Sequence, residues 1–432
     1  MSTLSIALII IGVLLVCIFL NVPLAFSLFI SALVLVLIDG TIPLSFVTQT
    51  LFGSTDSFPL LAIPFFILAG DLMSSGGIAR KLVEFLNGMF DSIKGSLGII
   101  TIFASLIFAA ISGSGAATVA AIGGIMIPYM IKNGYAPSYA ASLSASAGAL
   151  GPIIPPSIVF ILYGVMANVS ISELFIAGIL PGFVIAIALV VVNYLVVKKE
   201  KFSEVAKEST SDKPSFWKGL NGAKYSLFAP VLILGGIYGG IVTPTEAAVL
   251  AAVYSLIIGV FVHKEIKIKE LPEVFMKSAL TSGTILIFIG TASFFGRVLS
   301  MKQIPQLIAD SITGITDNPI FVLLLINIFL LIVGMFMETI AAVVIFVPLL
   351  LPIILQVGID PVHFGVIMSV NLSLGLVTPP LGMNLFIASK VANIPFEKTF
   401  KYIFTIIGAL LIVLLIISYV PQLSLFLPQL MK

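Results

Sequence analysis

Residues 151–156 read GPIIPP and residues 375–380 read GLVTPP, 224 positions apart. Each proline removes a backbone N–H and blocks the bond to the residue four back. Pro152, Pro155 and Pro156 cannot sit together in a continuous helix, so the carbonyls they release need other partners. A hard cation such as sodium is one, because such ions take oxygen ligands. A plain structural kink is the alternative. The matching break at Gly375–Pro380, where Thr378 adds a hydroxyl, favours a paired function over a kink. Asn384 lies one turn further on, with an amide able to face a cavity. The repeat is wider than the prolines. GYAP at 134–137 matches GIDP at 358–361, and Pro128, Leu150 and Glu173 fall on Pro352, Leu374 and Glu397 at the same offset.

Two tight links are the next candidates, SGSG at 112–115 and METI at 337–340. Small residues let two half-helices meet. Hydroxyls and freed carbonyls at such a tip can coordinate a cation, while half-helix N-termini attract an anion. Gly115, Ala116 and Ala117 read as helix packing; Ser112 and Ser114, beside the break, read as functional. Ionisable residues inside apolar segments are candidates by default. Glu246 follows Thr243-Pro244 and suits a helix N-terminus. Glu338 either caps its half-helix or shapes a site. Asp71 reads as a wet helix end, and Arg297 as a solvated cation near one face. His263 and His363 stand at helix ends in separate halves and form no metal pair. No GxSxG, HExxH or Walker pattern is present, so an enzyme or an ATP-driven pump has no residues to stand on.

These residues need a membrane around them. The chain is 59% hydrophobic and 9% charged, with a mean hydropathy of +1.24, against roughly 25% charged in soluble domains. The net charge of +2 lies in loops and implies no nucleic-acid partner. The single Cys17 excludes a disulfide framework. No basic residue precedes the first apolar run, which therefore reads as a span and not as a signal peptide. At about 20 residues per span, crossings fall near 4–20, 24–38, 59–75, 138–166 and 172–197, then 225–242, 246–262, 279–299, 363–389 and 402–422. Shorter apolar pairs, 97–111 with 115–131 and 319–335 with 339–356, read as re-entrant hairpins. The expected organisation is an all-α polytopic membrane protein. It has a first repeat (1–197) with hairpin 97–131 and broken helix 138–166. A cytoplasmic linker (198–224) follows, then a second repeat (225–432) with hairpin 319–356 and broken helix 363–389. The stretch from Ile78 to Ile93 reads as an amphipathic helix, either lying in the interface or packed on the bundle as an ordinary loop helix, and Trp217 as a headgroup anchor.

Five crossings per half invert the second repeat relative to the first. Eighteen of the 21 basic residues then share one side, which the positive-inside rule makes cytoplasmic. Both termini face the periplasm, the first hairpin opens to the cytoplasm and the second to the periplasm. Paired broken helices of this kind point to a secondary transporter.

The segments SGSGAATVAAIGGIMIPYM, GALGPIIPPSIVFILYGV, TPTEAA and GLVTPPLGMNLF resemble the large membrane subunit, DctM-like, of TRAP (tripartite ATP-independent periplasmic) transporters, over essentially the whole chain. The resemblance implies an elevator mechanism of the ion-transporter superfamily. A domain carrying both hairpins slides against a scaffold, driven by two or more co-transported sodium ions, with no organic cofactor. It implies a periplasmic substrate-binding protein and a small four-helix membrane subunit, expected here as a separate chain, in a bacterial inner membrane. Residue by residue, it implies a first sodium site at Ser112, Gly151, Ile154 and Pro156. A second falls at Thr339, Gly375, Thr378 and Met383, with the hairpin ligands the weaker part because the two tips differ. The substrate, an organic acid such as a sialic acid or a C4-dicarboxylate, falls to Ser114, Ser157 and Asn384. A stand-alone sodium/dicarboxylate symporter of the same architecture is the nearer alternative. A non-transporting assembly or channel subunit is the alternative of another class.

Overall fold

The computed structural model describes residues 3–90, 95–200, 202, 216–314 and 318–431. Among these every regular element is a helix, and nine helices are long and apolar enough to cross a bilayer. A backbone in hydrocarbon has no water to bond, and helices satisfy it internally. The expected spans are present as Thr3–Phe19, Leu24–Asp39, Ala62–Ser75, Ile171–Glu200, Phe216–Tyr238, Pro244–Ile257, Leu271–Met301 and Phe400–Tyr419.

Both broken helices are broken. The first runs Pro137–Gly148, loses helical form over residues 149–157 and resumes as Ile158–Ala167. The second runs Pro361–Gly375, opens over 376–382 and resumes as Met383–Val391. The bonds Pro155–Pro156 and Pro379–Pro380 are both cis. Each hairpin is a pair of helices around a two-residue tip. The first is Ser96–Ser112 and a return arm from Gly115 to Lys132, turning at Gly113-Ser114; the second is Pro319–Phe336 and Thr339–Gln356, turning at Met337-Glu338. The first return arm contains a π-helical turn, Val119–Gly123, ahead of Pro128, which has no N–H to give.

Several boundaries differ from the sequence expectation. The helix Ile171–Glu200 runs three residues past 197 and Phe216–Tyr238 starts nine before 225, because Lys198, Lys199 and Lys218 are sound helix residues outside the apolar stretch. The expected linker lies largely outside the described residues, as do Asp91, Ile93 and Lys94 of the amphipathic stretch, whose described helix is Ile78–Phe90. Three helices were not expected: Ser45–Thr55, which has no clear apolar stripe, and Ile304–Thr313 and Gln422–Leu430, which are amphipathic but too short to read as spans.

Ion pairs tie distant segments together at helix ends. Arg80, opening the helix Ile78–Phe90, pairs with Glu265, and His263 Nδ1 lies 2.9 Å from Gly76 O. Lys302, ahead of Ile304–Thr313, reaches Asp39 at 2.6 Å and Thr41 at 3.1 Å. So the root of each short helix is held by the loop that follows a span of the other half. The carboxylate of Asp71 is partnered from the other half: Lys277 Nζ lies 2.7 Å and Ser278 Oγ 2.8 Å from it. Glu246 and Thr243 form a reciprocal cap on Pro244–Ile257. Arg297 is exposed.

The entrance of the first hairpin is fixed by one buried amide. Asn193 lies against Gly98, donates to Gly95 O at 3.1 Å and accepts from Tyr139 Oη at 2.8 Å. Replacing Asn193 with Leu strands both partners, at roughly 1–3 kcal/mol for each. The purified variant is expected to melt several degrees below the parent in detergent; equal melting temperatures would remove Asn193 from this role.

Candidate functional site

The two breaks and the two hairpin tips meet in one place. Halfway along the first broken helix, Gly151 lies so near the first tip that a Cβ on it would sit 2.4 Å from Ser114 C and 2.6 Å from Gly115 N. Gly113, at the tip, has φ +59°, and a Cβ there would stand 2.7 Å from Pro156 O. Only glycine permits this backbone-on-backbone contact. In the second half the matching approach is between Gly375 and Gly334 of the hairpin arm, with 2.4 Å from a Gly375 Cβ to Gly334 Cα. The halves also cross over. Ser369 Oγ, on Pro361–Gly375, donates to Pro152 O at 2.7 Å, and Asn384 Nδ2 lies 3.3 Å from Ala145 O.

Between the tips lies a small cavity of about 40 Å³, lined by Ser114, Pro152, Glu338, Thr339, Met383 and Asn384 among others. Four helix starts border it, at Gly115, Ile158, Thr339 and Met383. Each start carries the positive end of a helix dipole and N–H groups outside the intrahelical ladder, of which Ala117 N–H is taken by Ser114 Oγ, Phe160 N–H by Ser157 Oγ and Asn384 N–H by Leu376 O. A cavity ringed by four of them suits an anion without any basic side chain, and no Lys, Arg or His lines this one.

The oxygens of the breaks supply the opposite chemistry. Among the described residues no hydrogen bond ends on the carbonyls of Gly151, Ile154 or Pro156, nor on those of Thr378, Pro379 or Pro380. Gly151, Ile154, Pro156 and Thr378 are buried, whereas Pro379 is half-buried and Pro380 exposed; buried carbonyls rarely lack partners, and a hard cation satisfies several at once. Of the residues expected at the first cation position, Ser112 is 2% exposed, with its hydroxyl 3.1 Å from Thr118 Oγ1. Gly151 and Pro156 touch the tip as described. Ile154 is buried and its side chain lies against Gly182. At the second position Thr339 is 2% exposed with an unpartnered Oγ1. Thr378 Oγ1 donates to Leu374 O at 2.7 Å and keeps free lone pairs. Met383 lines the cavity with a half-exposed side chain.

The expected substrate residues divide. Ser114 and Asn384 line the cavity. Ser157 does not: its hydroxyl donates to Pro152 O at 2.5 Å and accepts from Phe160 N–H at 3.3 Å, so it is occupied with the break and the cap of Ile158–Ala167. Sequence reading missed a buried amide pair behind the second break. Asn371 Nδ2 donates to Asn327 O at 2.9 Å, Asn327 Nδ2 donates to Ser418 Oγ at 3.0 Å, and Asn371 Oδ1 has no partner. Two lone asparagines inside apolar runs were the available signal.

With this geometry in view, the comparisons with known proteins fall into place. Residues 11–423 match the family described as tripartite ATP-independent periplasmic transporter, DctM component. The chain belongs to this family. Among its relatives, an isethionate TRAP transporter permease of Oleidesulfovibrio alaskensis is 46% identical over 94% of this chain. A C4-dicarboxylate TRAP large permease of Pseudomonas aeruginosa is 41% identical over 88% of each chain. A sialic acid TRAP large permease of Vibrio cholerae is 38% identical over 95% of this chain and 96% of its own. The chain spans only 64% of the length of the isethionate relative. These relatives are permeases, not enzymes. In fold the chain is similar to the YdaH transporter of Alcanivorax borkumensis, at a TM-score of 0.64, 15% identity and 87% and 88% coverage of the two chains. MtrF of Neisseria gonorrhoeae follows at 0.57, 14%, and 85% and 83%. As a DctM-family member this is a multi-pass membrane permease.

Glycine at the contact between tip and break is a strict requirement. Gly151→Ala is expected to displace the first tip and abolish ligand-dependent stabilisation, whereas Gly124→Ala, where an added Cβ meets nothing within 4 Å, leaves it intact. Equal behaviour of the two variants in a thermal-shift assay contradicts the packing described here.

Proposed function

We propose that this DctM-family permease imports an organic acid coupled to sodium. The observation that carries the reading is the cavity itself: four helix starts that attract an anion, flanked by two breaks in which the carbonyls of Gly151, Ile154, Pro156 and Thr378 accept no hydrogen bond among the described residues. Sodium held by Ser112, Gly151, Ile154 and Pro156 on one side, and by Thr339, Gly375, Thr378 and Met383 on the other, fixes both tips. The chain's part is then positional. The breaks hold their carbonyls converged, and the tips present hydroxyls and N–H groups to the anion.

A cavity of about 40 Å³ holds little more than water, which needs about 10–15 Å³ by the same measure. The tips must therefore part to admit an organic acid. Inverted repeats, 1–197 and 225–432, give two equivalent routes of access, and movement of the hairpin-bearing domain against the scaffold carries the site across in an elevator motion. Each net positive charge moved inward gains roughly 2.3 kcal/mol per 100 mV. The chain sits in the inner membrane with both termini periplasmic, beside a small four-helix membrane subunit, and receives its acid from a periplasmic binding protein. Relatives named for isethionate, C4-dicarboxylate and sialic acid support a small organic anion as the acid.

In proteoliposomes containing the small subunit, with the binding protein outside, uptake is expected to collapse when potassium replaces sodium. Full uptake in potassium overturns the coupling, and full uptake without the binding protein assigns the chain to stand-alone symport. Ser112→Ala and Thr378→Ala are each expected to raise the half-saturating sodium concentration roughly tenfold, the equivalent of about 1.4 kcal/mol. Unshifted sodium titrations remove those two residues from the sites.

A further inference from the structure

The 224-residue offset seen in the sequence also holds for folded elements. Ser96–Ser112 is matched by Pro319–Phe336, Gly115–Lys132 by Thr339–Gln356 and Ile158–Ala167 by Met383–Val391, each to within one residue. The surroundings of these matched elements are not alike. In the second half the return arm is covered. Leu271–Met301 and Ile304–Thr313 both pack along Thr339–Gln356, and a Cβ on Gly296 would stand 3.2 Å from Pro348 Cγ. In the first half the equivalent helices, Ala62–Ser75 and Ile78–Phe90, pack mainly on the other arm, Ser96–Ser112, with Gly70 against Ser112. Ile158–Ala167 is likewise met by Phe58–Leu61 and Ala62–Ser75, whereas neither Leu271–Met301 nor Ile304–Thr313 packs along Met383–Val391.

Exposure follows the same division. Ala120, Gly124, Met383 and Phe386 are exposed; the matching Val344, Pro348, Val159 and Leu162 are not. Phe386 is 50% exposed and Leu162 0%. The uncovered face starts at the cavity, whose wall includes Met383, and runs to Lys132 and Lys390 at the far ends of its two elements. Apolar surface on a membrane helix needs no explanation alone. A difference between two halves built alike does, and inverted repeats supply one: what covers one half in one state covers the other half in the second.

We propose that the uncovered face of Gly115–Lys132 is the docking surface for Ala62–Ser75 and Ile78–Phe90 in a second state of the same chain, with Met383–Val391 covered by Leu271–Met301. The inference rests on the inverted-repeat transport reading above and adds the sliding surface to it. Two observations fix the occupant. The equivalent helices already cover the equivalent arm, and Ala62–Ser75 already touches this hairpin at its tip, so the new interface continues an existing one. In the second state Thr339–Gln356 and Ile158–Ala167 are uncovered in exchange. Because the open face leads toward Lys132 and Lys390, the end that the positive-inside rule makes cytoplasmic, the structure is the state that releases the acid inward.

The test is sequential thiol labelling of the full chain with its small subunit in proteoliposomes, in a Cys17→Ser background, followed by the mass of the chain. Ala120→Cys and Val344→Cys are introduced singly and together. A pulse of biotin maleimide blocks the exposed position 120, and N-ethylmaleimide then reports position 344, which is reached only in the second state. Val344→Cys alone is expected to react, and blocking position 120 is expected to slow that reaction roughly tenfold, because the bulky label keeps the docking helices off the face. No reaction at 344, or a rate that the block leaves unchanged, overturns the proposal while sodium-driven uptake leaves the transport reading standing. Absence of reaction at 120 in the complex assigns the face to the small subunit and also overturns it. Failure of the parent to take up isethionate, a C4-dicarboxylate or sialic acid with sodium overturns the transport reading and this inference with it. Should Val344→Cys fail to fold, Phe386→Cys as the blocked position and Leu162→Cys as the reporter decide in the same way.

Discussion

Backbone carbonyls without partners in the interior of a membrane protein are the constraint on which this structure depends. In hydrocarbon such a group costs several kcal/mol. The chain nevertheless opens its backbone twice, over 149–157, where every residue is buried, and over 376–382, where Leu376 to Thr378 are buried while Pro380 and Leu381 are exposed. Some of the freed groups are satisfied inside the protein: Pro152 O accepts from both Ser157 and Ser369, and Leu376 O from Asn384 N–H. The carbonyls that no hydrogen bond reaches cluster on the two breaks, where they form oxygen-rich walls.

Glycine and helix polarity turn that cost into a site. Gly113, Gly151, Gly334 and Gly375 let backbones touch where any Cβ would collide, so tips and breaks share one small volume. Every helix that resumes after a tip or a break starts at this volume, and its positive end faces inward. Oxygen walls for cations and N–H ends for an anion thus arise from the same interruptions. In the proposed reading a cation at a break and an anion in the cavity attract one another, and this attraction would couple them physically. The ion pairs at the roots of Ile78–Phe90 and Ile304–Thr313 fasten each short helix to the opposite half.

Much of this was legible in the sequence because proline and glycine act locally. The breaks fall where GPIIPP and GLVTPP place them, and the turns fall at SGSG and MET. The long spans were legible from hydropathy for the same reason. What escaped depends on tertiary packing or on weak local signals. Ser45–Thr55 mixes polar and apolar residues without a clear stripe. Ile304–Thr313 is amphipathic but only ten residues long, too short to register as a span. The occupation of Ser157 by Pro152 O follows from how the break folds back on itself, and spacing does not encode it. The convergence of four helix starts is a property of the assembled fold. So is the placement of Asn384 against the first repeat, which left its oxygen as its only free group.

The central claim is that cations bind to the open backbone of the two breaks. Hydrogen exchange of the purified chain, compared in sodium and in potassium at equal ionic strength, reads that backbone directly. Amides of residues 149–157 and 376–382, together with those of both tips, are predicted to exchange more slowly in sodium, while the scaffold spans show no difference. Identical exchange at the breaks in the two salts would contradict the account.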